Sequence, residues 1–321
     1  MFRRVNPVGL ILFARNCVDP SQVAALVADF KATVAFPDPL ILIDQEGGRV
    51  QRLGPPNWSK LPAAERIAAL AEVDADAAEN AARLLGRLLA ADLAPLGITV
   101  DCAPVLDIRR PDTHDVIGDR AFGGAPGQVA RLGRAVCEGL LAGGVLPVIK
   151  HIPGHGRARA DSHKELPVIG AALNDLAASD FAPFRALRDM PLAMSAHVVL
   201  SAVDAAQPVS TSKTAIERVV RGAIGFGGLL MSDDIGMQAL AGDMGDRSRA
   251  CQRAGCDLIL HCSGDRDEME AVAGTVRPTT TIAERWLVRA EQLRRDSLDE
   301  QPFDSAAARR DFDALLARAG G

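Results

Sequence analysis

Short apolar runs rich in β-branched residues recur along the chain, each ending in a polar cluster: Val8–Phe13, Pro39–Ile43, Ile98–Leu106, Val145–Ile149, Leu192–Leu200, Gly228–Met231 and Asp257–Leu260. Between them lie alanine- and leucine-rich stretches with amphipathic spacing: Pro20–Thr33, Ala77–Leu96, Gly127–Leu141, Asn174–Arg188, Thr214–Ile224, Arg247–Gly255 and Asp267–Val276. Runs bounded in this way read as buried strands. Their alternation with helices predicts parallel strands in βα units. The first helix has the best start signal. Asp19 is placed to cap it, Pro20 suits its first position, and Gln22 stands where a capping-box partner belongs.

Two architectures fit this alternation, a doubly wound open sheet and a (β/α)8 TIM-type barrel. The residues that end the runs favour the barrel: Asn16, Asp44, Asp107, Lys150-His151, His197, Asp233 and His261. A barrel assembles one site from the C-terminal ends of many strands, whereas an open sheet concentrates its site at a switch point, usually beside a glycine-rich phosphate turn. No G-x-G-x-x-G opens a helix here. The expected fold is therefore an α/β barrel forming a single domain over residues 1–321. The segment 281–321 is read as C-terminal helices packed on the barrel and divided at Pro302. Only seven runs are counted, and the first begins close to Met1. An eighth strand is needed to cover the open edge, so the first βα unit is expected to be missing.

Composition narrows the class of protein. The 321 residues are 48% hydrophobic and 24% charged, ordinary for a soluble globular chain. A net charge of -5 argues against nucleic acid or an anionic membrane as partner, and sparse aromatics argue against stacking of single strands. The six cysteines form no C-x-x-C pair and read as reduced core thiols. No signal core or run of transmembrane length is present in the sequence, so a cytoplasmic location is expected.

The candidate chemistry lies in the polar clusters. Lys150–Glu165 follows an apolar run and holds three of the chain's six histidines. Within it, Asp161-Ser162-His163 sets a carboxylate two residues before an imidazole. Such a carboxylate can orient the ring and stabilise its cationic form, or the pair can be a capped turn. His151 and His155 have the spacing of helical metal ligands, but Pro153 and Gly154 speak against a helix there. Ser232-Asp233-Asp234 places two carboxylates at a strand end, where Asp233 reads as chemistry and Asp234 as a solvated loop residue or helix cap. Asp44–Arg52 combines carboxylate, arginine and a Gly47-Gly48 turn, the groups that grip vicinal hydroxyls, and Gly118–Phe122 adds Arg120.

Taken together these motifs resemble the family 3 glycoside hydrolases, in the branch of bacterial β-N-acetylhexosaminidases that work in peptidoglycan recycling. The resemblance rests on Lys150–Gly156, Asp161-Ser162-His163, Ser232-Asp233-Asp234, Asp44–Arg52 and Gly118–Phe122, in that family's order, and covers residues 8–280. It implies a (β/α)8 barrel and a retaining exo-β-N-acetylglucosaminidase acting on muropeptides without cofactor or metal, as a cytoplasmic monomer. It implies Asp233 as nucleophile, His163 as general acid/base and Asp161 as its partner. Asp44, Arg52, Arg120, Lys150 and His151 would hold the sugar hydroxyls. The loop bearing His163 would move to complete the site. Ile152 stands where the family has phenylalanine. Family members also carry a segment ahead of the strand at Gly9 that supplies the first barrel strand, which agrees with the count of seven and points to a late start or a truncated form. Other readings remain open: a phosphorylase on the same site, a metal-dependent barrel hydrolase using His151, His163, His197, His261 and Asp233, or an inactive sugar-binding form.

Overall fold

The computed structural model describes residues 1–111 and 114–320. Seven strands form one sheet whose order follows the chain: β1 (Gly9–Leu12), β2 (Leu40–Ile43), β3 (Val100–Asp101), β4 (Leu146–Ile152), β5 (Leu192–Ser195), β6 (Leu229–Asp234) and β7 (Leu258–Leu260). The pairs β1–β2, β2–β3, β3–β4, β5–β6 and β6–β7 are parallel. Unbroken chain order leaves no switch point, which separates this sheet from the doubly wound kind.

The chain divides into two compact units, Met1–Pro104 with Arg131–Val148 and Glu291–Gly321, and Val105–Ala130 with Ile149–Ala290. In the first unit, Leu42 and Ile43 lie opposite Val100 and Asp101, and these lie opposite Leu146 and Pro147. All four residues of β2 are buried, as a strand covered on both faces requires. The helix Pro20–Thr33 has the expected boundaries and buries Val23, Val27 and Phe30 at helical spacing. Its cap differs from expectation in one detail. Asp19 accepts the Gln22 amide at 2.9 Å, but the Gln22 side chain takes the amide of Val18 rather than that of Asp19. The helix Ser305–Ala317 packs on Ala75–Leu93 and buries Ala308, Phe312 and Leu316. The helix Ala64–Ala71 was not among the predicted elements.

In the second unit, β6 pairs with β5 from Leu229 opposite Leu192 to Ser232 opposite Ser195. Two strands run further than their apolar residues suggested. β4 continues to Ile152, so Lys150 and His151 belong to the strand rather than follow it, and β6 continues through Asp233 and Asp234. Two expected elements are broken. The run Leu192–Leu200 yields β5 and a separate short strand Val199–Leu200. The helix expected over Asn174–Arg188 is two short pieces, Leu173–Ala178 and Ala182–Ala186, because Ser179 and Asp180 between them hold distant arginines. No helix among the described residues is long and apolar enough to cross a membrane.

Candidate active site

Two strand ends of the second unit, on β4 and β6, carry polar residues predicted for chemistry. On β4, Lys150 is 2% exposed and His151 is buried. His151 is oriented by Asp107, whose carboxylate meets the ring Nδ1 at 2.6 Å and also accepts the His155 backbone amide at 2.6 Å. Burial alone would push the Asp107 carboxyl up. The charge and hydrogen bond of His151, with the His155 contacts, reverse this and hold it below the usual carboxylate range. Asp107 thus fixes both the ring of His151 and the turn that follows it. The turn is tight because a Cβ at Gly156 would run into the carbonyl oxygen of Ile108.

Beyond the turn the chain is anchored again before it reaches the catalytic candidates. Arg157 donates to Asp180 at 2.7 Å and to Ser179 at 3.1 Å, and Arg110 reaches the same two residues. Asp161 and His163 then form the predicted pair. One Asp161 oxygen receives the His163 backbone amide at 3.0 Å and stands 2.9 Å from Nδ1. Burial raises the Asp161 carboxyl, but the His163 amide, ring hydrogen bond and charge outweigh this and hold it below the usual carboxylate range. With Nδ1 turned to the carboxylate, Nε2 is the nitrogen presented outward, and the His163 side chain is 59% exposed.

On β6, Asp233 is 9% exposed and accepts the amide of Asp234 at 2.8 Å. Asp234, expected in a solvated loop or as a helix cap, instead ends the strand and caps the turn after it. Its carboxylate accepts the amides of Gly236 at 2.9 Å and Cys262 at 3.1 Å, tying the end of β6 to the segment after β7. His197 braces the same place, with Nε2 3.1 Å from the Asp234 carbonyl and Nδ1 2.8 Å from the Ser210 hydroxyl. Arg120 lies in the turn Gly118–Arg120, half-buried, donating to the Val116 carbonyl. In the first unit, Asp44 at the end of β2 pairs with Arg52 at 3.0 Å. Gln45 beside it accepts the amides of Arg52 and Leu53, so the segment that returns Arg52 to Asp44 is held by a buried amide side chain.

Among the described residues no group of three His, Cys, Asp or Glu is arranged to hold a metal. Several of the histidine nitrogens that a metal centre would need are already in use. Both ring nitrogens of His197 hold protein groups, Nδ1 of His151 holds Asp107, and Nε2 of His261 holds Glu268 at 3.0 Å.

The sequence singled out Asp107 only as a strand end and His197 as a strand end and a ligand of the metal-dependent reading, and passed over Asp180, Arg157 and Ser210. Their partners are 13 to 70 residues away, and no local pattern marks them. His155, which spacing made a possible ligand, is 4% exposed, and burial pushes its pKa down to about 4. Burial also lowers His197. These two neutral imidazoles imply a pH dependence of stability. Between about 4 and 6.5 the unfolded chain binds a proton at position 155 that the folded chain refuses, so stability rises with pH through this window and is lost on acidification. The loss assignable to His155 is on the order of 3 kcal/mol. Urea midpoints measured from pH 7 to 4 should fall steeply for the parent and less steeply for His155→Gln; parallel curves would refute the assignment.

The family model for the glycosyl hydrolase family 3 N terminal domain matches residues 4–292, and the chain belongs to that family. It is a glycoside hydrolase of the β-hexosaminidase type, and its fold class is the α/β (β/α)8 barrel. A beta-hexosaminidase from Neisseria gonorrhoeae is 37% identical over 319 residues, which cover 98% of this chain and 86% of that protein. One from Bordetella avium is 40% identical over 259 residues, covering 79% of this chain and 73% of the relative. The crystal structure of NagZ from Neisseria gonorrhoeae in complex with N-trifluoroacetyl-D-glucosamine matches with a TM-score of 0.86 at 35% identity, over 98% of this chain and 93% of that one.

Proposed function

We propose that this protein is a retaining exo-β-N-acetylglucosaminidase that removes terminal N-acetylglucosamine from muropeptides during cytoplasmic peptidoglycan recycling. It would act as a monomer whose whole chain, 1–321, serves one catalytic domain. The observation that carries the reading is the pair of unlike groups in the second unit. Asp233, little exposed at the end of β6, suits a nucleophile, and the Asp161-held imidazole of His163 suits a proton donor and acceptor. The N-acylglucosamine ligand of the Neisseria gonorrhoeae relative supports the sugar assignment.

In the first step the Asp233 carboxylate bonds to the anomeric carbon. The glycosidic C–O bond breaks and Nε2–H of His163 protonates the departing oxygen. In the second step water attacks the same carbon, Nε2 takes its proton, and the bond to Asp233 breaks. An imidazole serves because one ring nitrogen can give up a proton and take one back, and so can do both jobs. Asp161 holds Nδ1, fixing the tautomer that leaves Nε2 to the substrate. Arg120, Lys150 and His151 hold sugar hydroxyls, His151 with its ring set by Asp107. Asp44 and Arg52 keep the hydroxyl-gripping role that the family resemblance implies.

Two displacements give net retention. Proton NMR of the hydrolysis of an aryl N-acetyl-β-glucosaminide should show the β-anomer first, with the α-anomer appearing only by mutarotation. Initial α-product would overturn the double displacement. The same run in phosphate buffer separates hydrolysis from phosphorolysis: free sugar is expected, and sugar 1-phosphate as main product would establish the phosphorylase reading.

A further inference from the structure

The segment that carries the acid/base pair is held firmly at its base and lightly at its tip. At the base, Arg157 is fixed by Asp180 and Ser179, and the Ala158 carbonyl accepts the His114 amide at 3.0 Å. At the tip, Asp161–Glu165 is a single turn closed by the Lys164 and Glu165 amides on the Asp161 carbonyl. Asp161 and His163 flank Ser162, and Ser162 points the other way. It is 4% exposed, while the side chain of His163 is 59% exposed.

What buries Ser162 is the stretch that continues from the nucleophile. The Ser162 carbonyl accepts the amide of Ala239 at 3.2 Å, and its hydroxyl lies 3.8 Å from the sulfur of Met237. Ile235, Met237, Ala239 and Leu240 are all buried. This stretch is itself rigidly tied to β6. Ile235 donates to the Leu260 carbonyl at 3.0 Å, and Met237 to the Asp234 carbonyl at 3.1 Å. The Arg247 guanidinium holds the carbonyls of Ile235 at 3.0 Å and Met237 at 3.2 Å. Through this seat the chain passes from Ser162 to Asp233 by short, fixed links.

We propose that Ser162 is a positioning residue, a latch whose seating against Met237 and Ala239 sets the Asp161–His163 pair relative to Asp233. The inference rests on the acid/base reading of His163. One backbone hydrogen bond and one O–H···S contact make a reversible latch, and a weak thioether acceptor suits a contact that must open for substrate entry and product release. A small residue is required at position 162 because the seat is closed, and a long charged side chain cannot enter it without stranding its charge.

The test separates latch from fold by leaving group. A displaced acid lowers kcat/KM only for those substrates whose departing oxygen needs a proton, because this ratio reports the first chemical step. For Ser162→Lys, kcat/KM on an N-acetylglucosaminide of a weakly acidic phenol should fall by about 10²-fold. On the 2,4-dinitrophenyl glycoside it should stay within about threefold of the parent. Ser162→Ala, which keeps the backbone link and fits the seat, should stay within about fivefold on both substrates. Equal losses on both substrates, or parent rates on both, for Ser162→Lys would overturn the latch. If thermal melts show that Ser162→Lys does not fold, Met237→Lys blocks the same contact from the other side and carries the same outcomes. His163→Ala, measured in parallel, isolates the underlying reading. No leaving-group dependence there sinks the acid/base role itself, whereas dependence in His163→Ala but not in the lysine variant sinks the latch alone.

Discussion

Asp233→Ala is expected to lose turnover of aryl N-acetylglucosaminides by on the order of 10⁴-fold or more while remaining folded. The fold should survive because the carboxylate has little structural work. It accepts a hydrogen bond from the adjacent Asp234 amide, whereas the turn beyond β6 depends on Asp234, His197 and Arg247. The loss should be almost independent of leaving group, since bond formation at the anomeric carbon is what disappears. Added azide should restore part of the rate on the dinitrophenyl substrate by entering the space left by the carboxylate, and its product should be the α-glycosyl azide. A folded Asp233→Ala enzyme working at the parent rate would remove the nucleophile assignment. Asp234→Ala makes the opposite comparison. It deletes the acceptor of the Gly236 and Cys262 amides and should lower the melting temperature.

What the sequence disclosed and what it hid divide by the range of the interactions. The helix Pro20–Thr33 was legible to the residue because its cap, Asp19, and its proline lie beside it. The pair Asp161–His163 was legible for the same reason, as a carboxylate and an imidazole two residues apart need no tertiary knowledge to meet. By contrast, the run Ile98–Leu106 looked like one strand and contributes only Val100–Asp101, with one isolated bridge from Val105 to Lys150. Pro104 interrupts it, since proline has no N–H for the ladder. The helix expected over Asn174–Arg188 failed for a longer-range reason. Ser179 and Asp180 meet Arg157 and Arg110 across 22 to 70 residues, and those contacts outweigh local helix propensity. The strand ends followed the same rule. Apolar content stopped the count of β4 at Ile149 and of β6 at Met231, but pairing carries both strands into their polar residues. Lys150, His151 and Asp233 therefore sit on strand backbone, whereas Asp161 and His163 sit on a loop. Sites on strands are held more tightly than sites on loops. The proposed nucleophile and hydroxyl grips thus stand on strands and the proposed acid/base on a loop, the same division that the sequence suggested by placing Lys150 and His151 at a strand end and His163 in a glycine-flanked loop.

His163→Ala should show the complementary defect. Without the proton donor, kcat/KM on glycosides of weakly acidic phenols is expected to fall by about 10² to 10⁴-fold. The dinitrophenyl glycoside, whose leaving group departs unprotonated, should form the glycosyl-Asp233 intermediate at nearly the parent rate. Hydrolysis of that intermediate still lacks its base, so kcat on this substrate should be low and KM lowered with it, with a pre-steady-state burst of phenolate. Azide needs no deprotonation. It should raise kcat, and it must attack from the face opposite Asp233, giving the β-glycosyl azide. Asp161→Asn should lie between parent and His163→Ala on both substrates, since the amide still meets Nδ1 but no longer supplies charge to the imidazolium. Equal losses of His163→Ala across leaving groups would place its role in binding. The two azide products carry the strongest discrimination. One small anion added to two variants of one enzyme should give opposite anomers, α where Asp233 is missing and β where His163 is missing. Only a mechanism with a group on each face of the sugar, one bonding to carbon and the other moving the proton, produces that reversal.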